Sequence, residues 1–156
     1  MIHVVDFSPC YVEQLLPIAR EIHAQSLYWD IALDESKLID QLSGCGSRFP
    51  DRYFRLAVDD DEDLLCGALY GIVFRTFFGK PTVVKDMGQW TRRDGRARNA
   101  WAVLLHDFEQ WGREQGAAMC SIGYHGLEDI EQKRRVFEMA GYRVTGYNTA
   151  KELHHG

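Results

Sequence analysis

Between Lys80 and Tyr124 the sequence spells out a strand, a basic turn, a helix and a second strand, and that order constrains the rest of the chain. Thr82 to Trp90 is a short run carrying β-branched residues. Arg92-Arg93-Asp94-Gly95-Arg96-Ala97-Arg98-Asn99 then gathers four arginines around a glycine. Trp101, Leu104, Leu105, Phe108 and Trp111 recur at i, i+3, i+4, i+7 and i+10, one apolar face at helical period, which predicts a helix. Glu109 and Arg113 stand one turn apart on its outer face, and Gly116 supplies a left-handed stop. Ala117 to Tyr124 is a second apolar run. Two strands joined through a helix lie parallel with a right-handed crossover, so the arginine turn opens a helix N-terminus at the carboxyl edge of a sheet. The first helix amides lack internal partners, and the helix dipole adds about half a positive charge there. A phosphate at such an edge is held by amides and arginines together. A solvated basic surface is the plainer alternative, made less favourable by the strand-helix-strand setting.

The remaining composition narrows the partners. At 156 residues and 46% hydrophobic content, one domain spanning 1–156 with its own core is expected. A net charge of −5 argues against general nucleic-acid binding, which needs a basic face. Cys10, Cys45, Cys66 and Cys120 are widely spaced with no C-x-x-C pair, so neither a zinc site nor a redox pair is signalled, and reduced thiols in a cytoplasm are the default. No signal segment opens the chain, and no run approaches the roughly 18 apolar residues of a membrane span. A cytoplasmic protein with no metal, no nucleic acid and no membrane partner is expected.

Ile2 to Phe7 reads as a strand, and Ser8-Pro9 as the start of a helix reaching about Gln25. His23 lies at the edge of its apolar face, near the loop of Ser26, Tyr28 and Trp29. Polar-tipped aromatic loops line pockets, so His23, Tyr28 and Trp29 are candidates for a substrate site, with packing as the plainer role. Asp34 or Ser36 can cap a second helix through Leu42. Arg52 to Val58 alternates as a strand, and Asp59-Asp60-Asp61-Glu62-Asp63 is expected to be a solvated hairpin tip. Leu64 to Phe78 returns as a long strand whose Gly67 and Gly71 suggest a bulge or a close backbone approach. After Tyr124-His125-Gly126 a helix over Leu127 to Ala140 is stopped by Gly141, and Tyr142 to Tyr147 and Thr149 to Leu153 read as two last strands. This predicts an α/β fold, a mixed central sheet of about six or seven strands flanked by about four helices.

The order of elements, the basic turn opening the helix that ends Trp111-Gly-Arg-Glu-Gln-Gly116-Ala117, and the later Phe137-Glu-Met-Ala-Gly141-Tyr142 resemble the GNAT superfamily of acyl-CoA N-acyltransferases, and in particular a divergent, phage-like subset with relaxed glycines. The likeness spans nearly the whole chain. It implies acetyl-CoA as cofactor and an acceptor with a primary amine, a small molecule or a protein lysine or N-terminus. The family motif Arg/Gln-x-x-Gly-x-Gly/Ala fits Arg92, Gly95 and Ala97, or, in the register that preserves the buried helical face, Arg96-Ala97-Arg98-Asn99-Ala100-Trp101. The second is preferred, and with Trp90 and Thr91 it forms the expected cofactor site. Asn99 and Trp101 stand where glycines admit the diphosphate, and Phe137 stands where a tyrosine protonates the departing thiolate. The resemblance further implies splayed strands, Val83 to Thr91 and Ala117 to Tyr124, whose open amides hold pantetheine. Asp86, with Tyr124 and His125, is the candidate catalytic group; by a two-residue period Lys85, Met87 and Gln89 face away from Asp86. A non-catalytic protein keeping the fold is the alternative, and a homodimer through Tyr142 and Tyr147 is a possible assembly. On the preferred register, Arg96→Ala weakens acetyl-CoA binding by roughly 1 to 3 kcal/mol in a calorimetric titration.

Overall fold

The structure, a computed structural model, describes residues 1–26, 29–77, 79, 82–123 and 130–146. The chain divides into two compact units, Met1–Gly123 and Tyr124–Gly156. The first contains a five-stranded sheet in the order β1-β2-β3-β4-β5. Its strands are β1 (Ile2–Asp6), β2 (Arg52–Asp59), β3 (Leu64–Arg75), β4 (Thr82–Thr91) and β5 (Met119–Ser121). The first four pair antiparallel in succession; β5 pairs parallel to β4 through the helix α3 (Ala97–Glu114). Two helices, α1 (Val12–Gln25) and α2 (Glu35–Ser43), connect β1 to β2.

Alternation along β2 divides the core. Tyr53 and Ala57 pack with Leu69, Val84, Leu104 and Phe108 on the α3 side. Phe54, Leu56 and Val58 pack with Leu15, Leu42 and Leu65 on the α1 and α2 side. Phe108 is fully buried, edge-on to Tyr53 with ring centroids 5.0 Å apart and stacked on Trp111 at 5.7 Å. Both glycines singled out in β3 are places where α3 comes close. A Cβ on Gly67 would lie 3.0 Å from Leu104 Cδ1, and one on Gly71 would lie 2.7 Å from Phe108 Cζ.

Both helix stops read from glycine are as expected. Gly116 takes φ 68°, and Ala117 N–H donates to Gly112 O at 2.9 Å, while Gly116 N–H donates to Arg113 O at 3.0 Å. In the second unit, α4 (Ile130–Met139) ends the same way: Gly141 has φ 88° and Tyr142 N–H donates to Phe137 O at 2.9 Å. The accompanying apolar contact is Tyr142 set edge-on to Phe137 at 5.6 Å. Asp34 is the N-cap of α2, accepting from Lys37 N–H at 2.9 Å.

Several expectations change. Ser8 stands at the N-cap position with Pro9 following, but its side chain makes no cap bond: Oγ shares a hydrogen bond with Cys10 Sγ, the turn opened is a 3₁₀ turn over Pro9–Tyr11, and α1 begins at Val12. Fewer strands form among the described residues than the six or seven expected. Residues 142–146 form none, and 147–153 lie outside the described residues. The second apolar run pairs over Met119–Ser121 alone. The acidic run is also more than a solvated tip: the Asp59 side chain is only 13% exposed and receives Arg96.

Gly71 sits where Phe108 is boxed in by Tyr53 and Trp111. Gly71→Ala is therefore expected to destabilise the protein by about 1 to 3 kcal/mol through overpacking, read as a lower urea midpoint with an unchanged slope.

Candidate functional site

The chemistry-bearing corner begins at an irregularity in β4. Tyr70 pairs with Gly88 and Gly71 with Asp86, so Met87 is one residue too many and forms a β-bulge. The parallel ladder to β5 runs Val83↔Met119, Val84↔Cys120 and Lys85↔Ser121, and ends there, while β4 continues to Thr91. From Met87 to Thr91 the β5-facing edge of β4 has no strand partner among the described residues.

The bulge also resets the faces. Asp86 lies opposite Gly71 and Gln89 opposite Leu69, both on the α3 side, so the two-residue period that set Gln89 against Asp86 fails at Met87. Both side chains reach one residue: Asp86 Oδ1 accepts from Gly123 N–H at 2.6 Å, and Gln89 Nε2 donates to Gly123 O at 2.6 Å. Asp86 is the single buried charged residue among those described, at 2% exposure.

At the carboxyl end of β4, Arg92–Arg96 make the connection into α3. Arg92 N–H donates to Cys66 O at 2.9 Å, fixing its start to β3. Asp94 then organises the turn: Oδ2 accepts from Arg92 Nε at 2.8 Å and lies 3.6 Å from Arg96 Nη1, Oδ1 accepts from Arg96 N–H at 2.9 Å, and its carbonyl accepts from Ala97 N–H at 3.1 Å. The Arg92 guanidinium, with the Arg96 amide, holds the Asp94 carboxyl below its ordinary value. Arg96 is the N-cap residue of α3, and its guanidinium turns to the acidic run, Nε to Asp59 Oδ2 at 3.1 Å and Nη2 to Glu62. The pairings with Met1 and Arg96 lower the Asp59 pKa. Arg93 and Arg98 are exposed and have no carboxylate partner among the described residues. Ala97 N–H is taken by Asp94 and Ala100 N–H by Arg96 O at 2.9 Å, so the open amides of the helix are those of Arg98 and Asn99.

Trp90, Arg92, Arg93 and Asp94 line a cleft of about 330 Å³ together with Glu21 of α1. Trp90 also packs against the core on the α1 and α2 side. Thr91 pairs with Gly67. Ala97 to Trp101 form the opening of α3, with Asn99 exposed, Ala100 buried and the Trp101 indole packed on the core. His23 is half-buried, and its carbonyl accepts from Ser26 N–H at 3.1 Å and Ser26 Oγ at 2.8 Å. Trp29 is exposed; neither it nor His23 lines the cleft. Tyr28, Tyr124 and His125 lie outside the described residues. Sequence reasoning brought Trp90, Thr91 and the start of α3 to one place and missed Glu21, Gln89 and Gly123. Nothing in residue type marked these three, because Glu21 joins the cleft only through the fold and Gln89 and Gly123 meet across it.

No protein-family model matches the chain, and no curated protein matches it. Solved structures do. A GNAT family acetyltransferase of Staphylococcus aureus is similar over 97% of this chain and 98% of its own, at 14% identity and a TM-score of 0.64. AAC(6')-Iy, solved with the bisubstrate analogue CoA-S-monomethyl-acetylneamine, is similar over 99% of each chain, at 16% identity and a TM-score of 0.67. A transcriptional regulator from Bacillus halodurans is similar over 98% of this chain and all of its own, at 9% identity and a TM-score of 0.74. At such identities the shared property is the course of the backbone, and the chain has the GNAT fold.

Proposed function

We propose that this chain is an acetyl-CoA-dependent N-acetyltransferase acting on a primary amine, of a small molecule or of a protein lysine or N-terminus, in a cytoplasmic setting. The observation that carries the proposal is the parting of β4 from β5 after Lys85 and Ser121, with the arginine connection and the opening of α3 at the end of the exposed β4 edge. Such an edge offers alternating N–H and C=O groups to an extended amide chain, as a strand would. The solved complex of AAC(6')-Iy with a CoA bisubstrate analogue supports a coenzyme A ligand for this fold.

In this reading the β4 edge from Met87 through Trp90 and Thr91 binds the pantetheine arm. The Arg98 and Asn99 amides, with the Arg93 and Arg98 guanidinium groups, hold the diphosphate. Arg96, Ala97, Ala100 and Trp101 shape that opening from within: Arg96 braces it against Asp59 and Glu62, and Trp101 anchors it to the core. A strand amide polarises the thioester carbonyl, and orientation of the amine supplies much of the rate. The amine loses its proton to water or to a base; the expected base Asp86 is buried with one oxygen on Gly123 N–H, and Tyr124 and His125, its expected partners, are further candidates. Glu21 on the cleft wall, with His23, Tyr28 and Trp29 as further candidates, offers the acceptor's ammonium a carboxylate. The acidic chain as a whole favours cationic acceptors.

One observation favours a second reading, a non-catalytic protein that keeps the fold. The Asp94 carboxylate already makes contacts with Arg92 and the Arg96 amide of the kind a phosphate would make. Binding separates the two. Acetyl-CoA at a hundred times its Kd should stabilise the protein by about 2.7 kcal/mol, read as a higher melting temperature; no rise at millimolar cofactor favours the non-catalytic protein. Where the rise is seen, thiol release with a panel of amines distinguishes an enzyme from a binder.

The same corner gives a pair of opposed substitutions. Arg98→Ala is expected to weaken acetyl-CoA binding by roughly 1 to 3 kcal/mol in calorimetry. Asp94→Asn keeps an acceptor for the Arg96 amide and removes the competing charge, so it is expected to tighten binding by about 1 kcal/mol. Weaker binding by Asp94→Asn would mean that the carboxylate organises the seat instead of competing for it.

A further inference from the structure

The two side chains that meet at Gly123 bear on the cleft itself, in an inference that rests on the acetyltransferase reading above. In a regular sheet the neighbouring backbone lies about 4.8 Å away, held by its own ladder. Two residues past the last ladder position, Gly123 is held instead by side chains: Asp86 Oδ1 takes its N–H at 2.6 Å and Gln89 Nε2 gives a hydrogen to its carbonyl at 2.6 Å. Residues three apart on an even strand would point to opposite faces. The extra residue at Met87 brings both to the α3 side, so the bulge and the two hydrogen bonds form one construction.

We propose that Asp86 and Gln89 are positioning residues, paired spacers that hold the backbone at Gly123 a side chain's length from β4 and so fix the width of the gap that receives the amide-bearing arm of the acyl donor. The chemistry of each end is specific. The backbone N–H requires an acceptor, which Asp86 supplies, and the backbone carbonyl requires a donor, which the Gln89 amide supplies. Asp86→Asn retains an accepting oxygen, whereas Asp86→Ala removes it. Gln89→Glu preserves size and replaces the donor by a carboxylate facing a carbonyl.

The test uses the full chain and two probes: acetyl-CoA, which carries the arm, and adenosine 3′,5′-bisphosphate, which carries phosphates without it. Gln89→Glu is expected to weaken acetyl-CoA about ten-fold while the bisphosphate changes less than about two-fold. Asp86→Ala should show the same split, and Asp86→Asn should restore acetyl-CoA affinity to within about three-fold of the parent with the pH profile of kcat unmoved. Equal loss of both probes would overturn the spacers in favour of general damage to the fold. Collapse of one limb of the pH profile in Asp86→Asn, without a change in acetyl-CoA affinity, would make Asp86 a base instead. Amide exchange at Gly123 in the unliganded protein decides the matter independently of any cofactor. Gln89→Glu and Asp86→Ala should each speed it by about ten-fold at unchanged global stability, and unchanged exchange overturns the proposal. A parent protein that binds neither probe defeats the acetyltransferase reading, and the Gly123 exchange still judges the spacers.

Discussion

A single surplus residue in β4 governs the half of the sheet where function is to be sought. Met87 has no counterpart on β3, and the strand must accommodate it by bending and twisting more strongly there. On one side of that point β4 has an ordinary parallel neighbour; on the other its edge has no strand partner to Thr91 among the described residues. The same residue exchanges the faces of everything that follows, which is how Gln89 comes to share a target with Asp86. Helix α3 makes the arrangement rigid from behind, because Gly67, Gly71 and Gly112 let it approach the sheet more closely than any side chain would permit. Backbone irregularity in front and close packing behind are complementary: a bend persists only where the layer beneath it cannot move.

Charge holds the other border. The acidic run between β2 and β3 and the arginine-rich connection into α3 lie against each other, with Asp59 receiving both Arg96 and the amino group of Met1. A net-negative chain thereby keeps part of its basic cluster neutralised and leaves Arg93 and Arg98 outward, without carboxylate partners among the described residues. Exposed ion pairs of this kind contribute little to stability individually, and a shared cluster matters more for where it places the groups. Here it places the first turn of a helix.

Much of this was legible in the sequence. The helical period from Trp101 to Trp111, the glycine stops at Gly116 and Gly141, the Asp34 cap and the strand-helix-strand order are local or periodic signals, and local chemistry decides them. The glycines of β3 pointed to a bulge or a close backbone approach, and Gly71 meets both: the ladder shifts there and Phe108 of α3 comes close. What escaped was set by tertiary context. A bulge is a mismatch between two strands and cannot be read from one of them, so Asp86 and Gln89 were assigned opposite faces. Arg96 looked available because its partners, Asp59 and Glu62, are more than thirty residues away.

The brevity of β5 has a consequence for access. Among the described residues, three ladder positions, the Ala118 N–H bond to Thr82 O and two side-chain bonds attach this wall to β4, against nine ladder positions on the other side, where β3 pairs with β4 across most of its length. Attachment energies so unequal predict unequal fraying: the rim can detach and re-anneal while the four antiparallel strands and the helix behind them stay intact. On the acetyltransferase reading proposed above, a bulky guest with a long flexible tail then need not be threaded lengthwise through a closed slot, since the slot can be unzipped from its side.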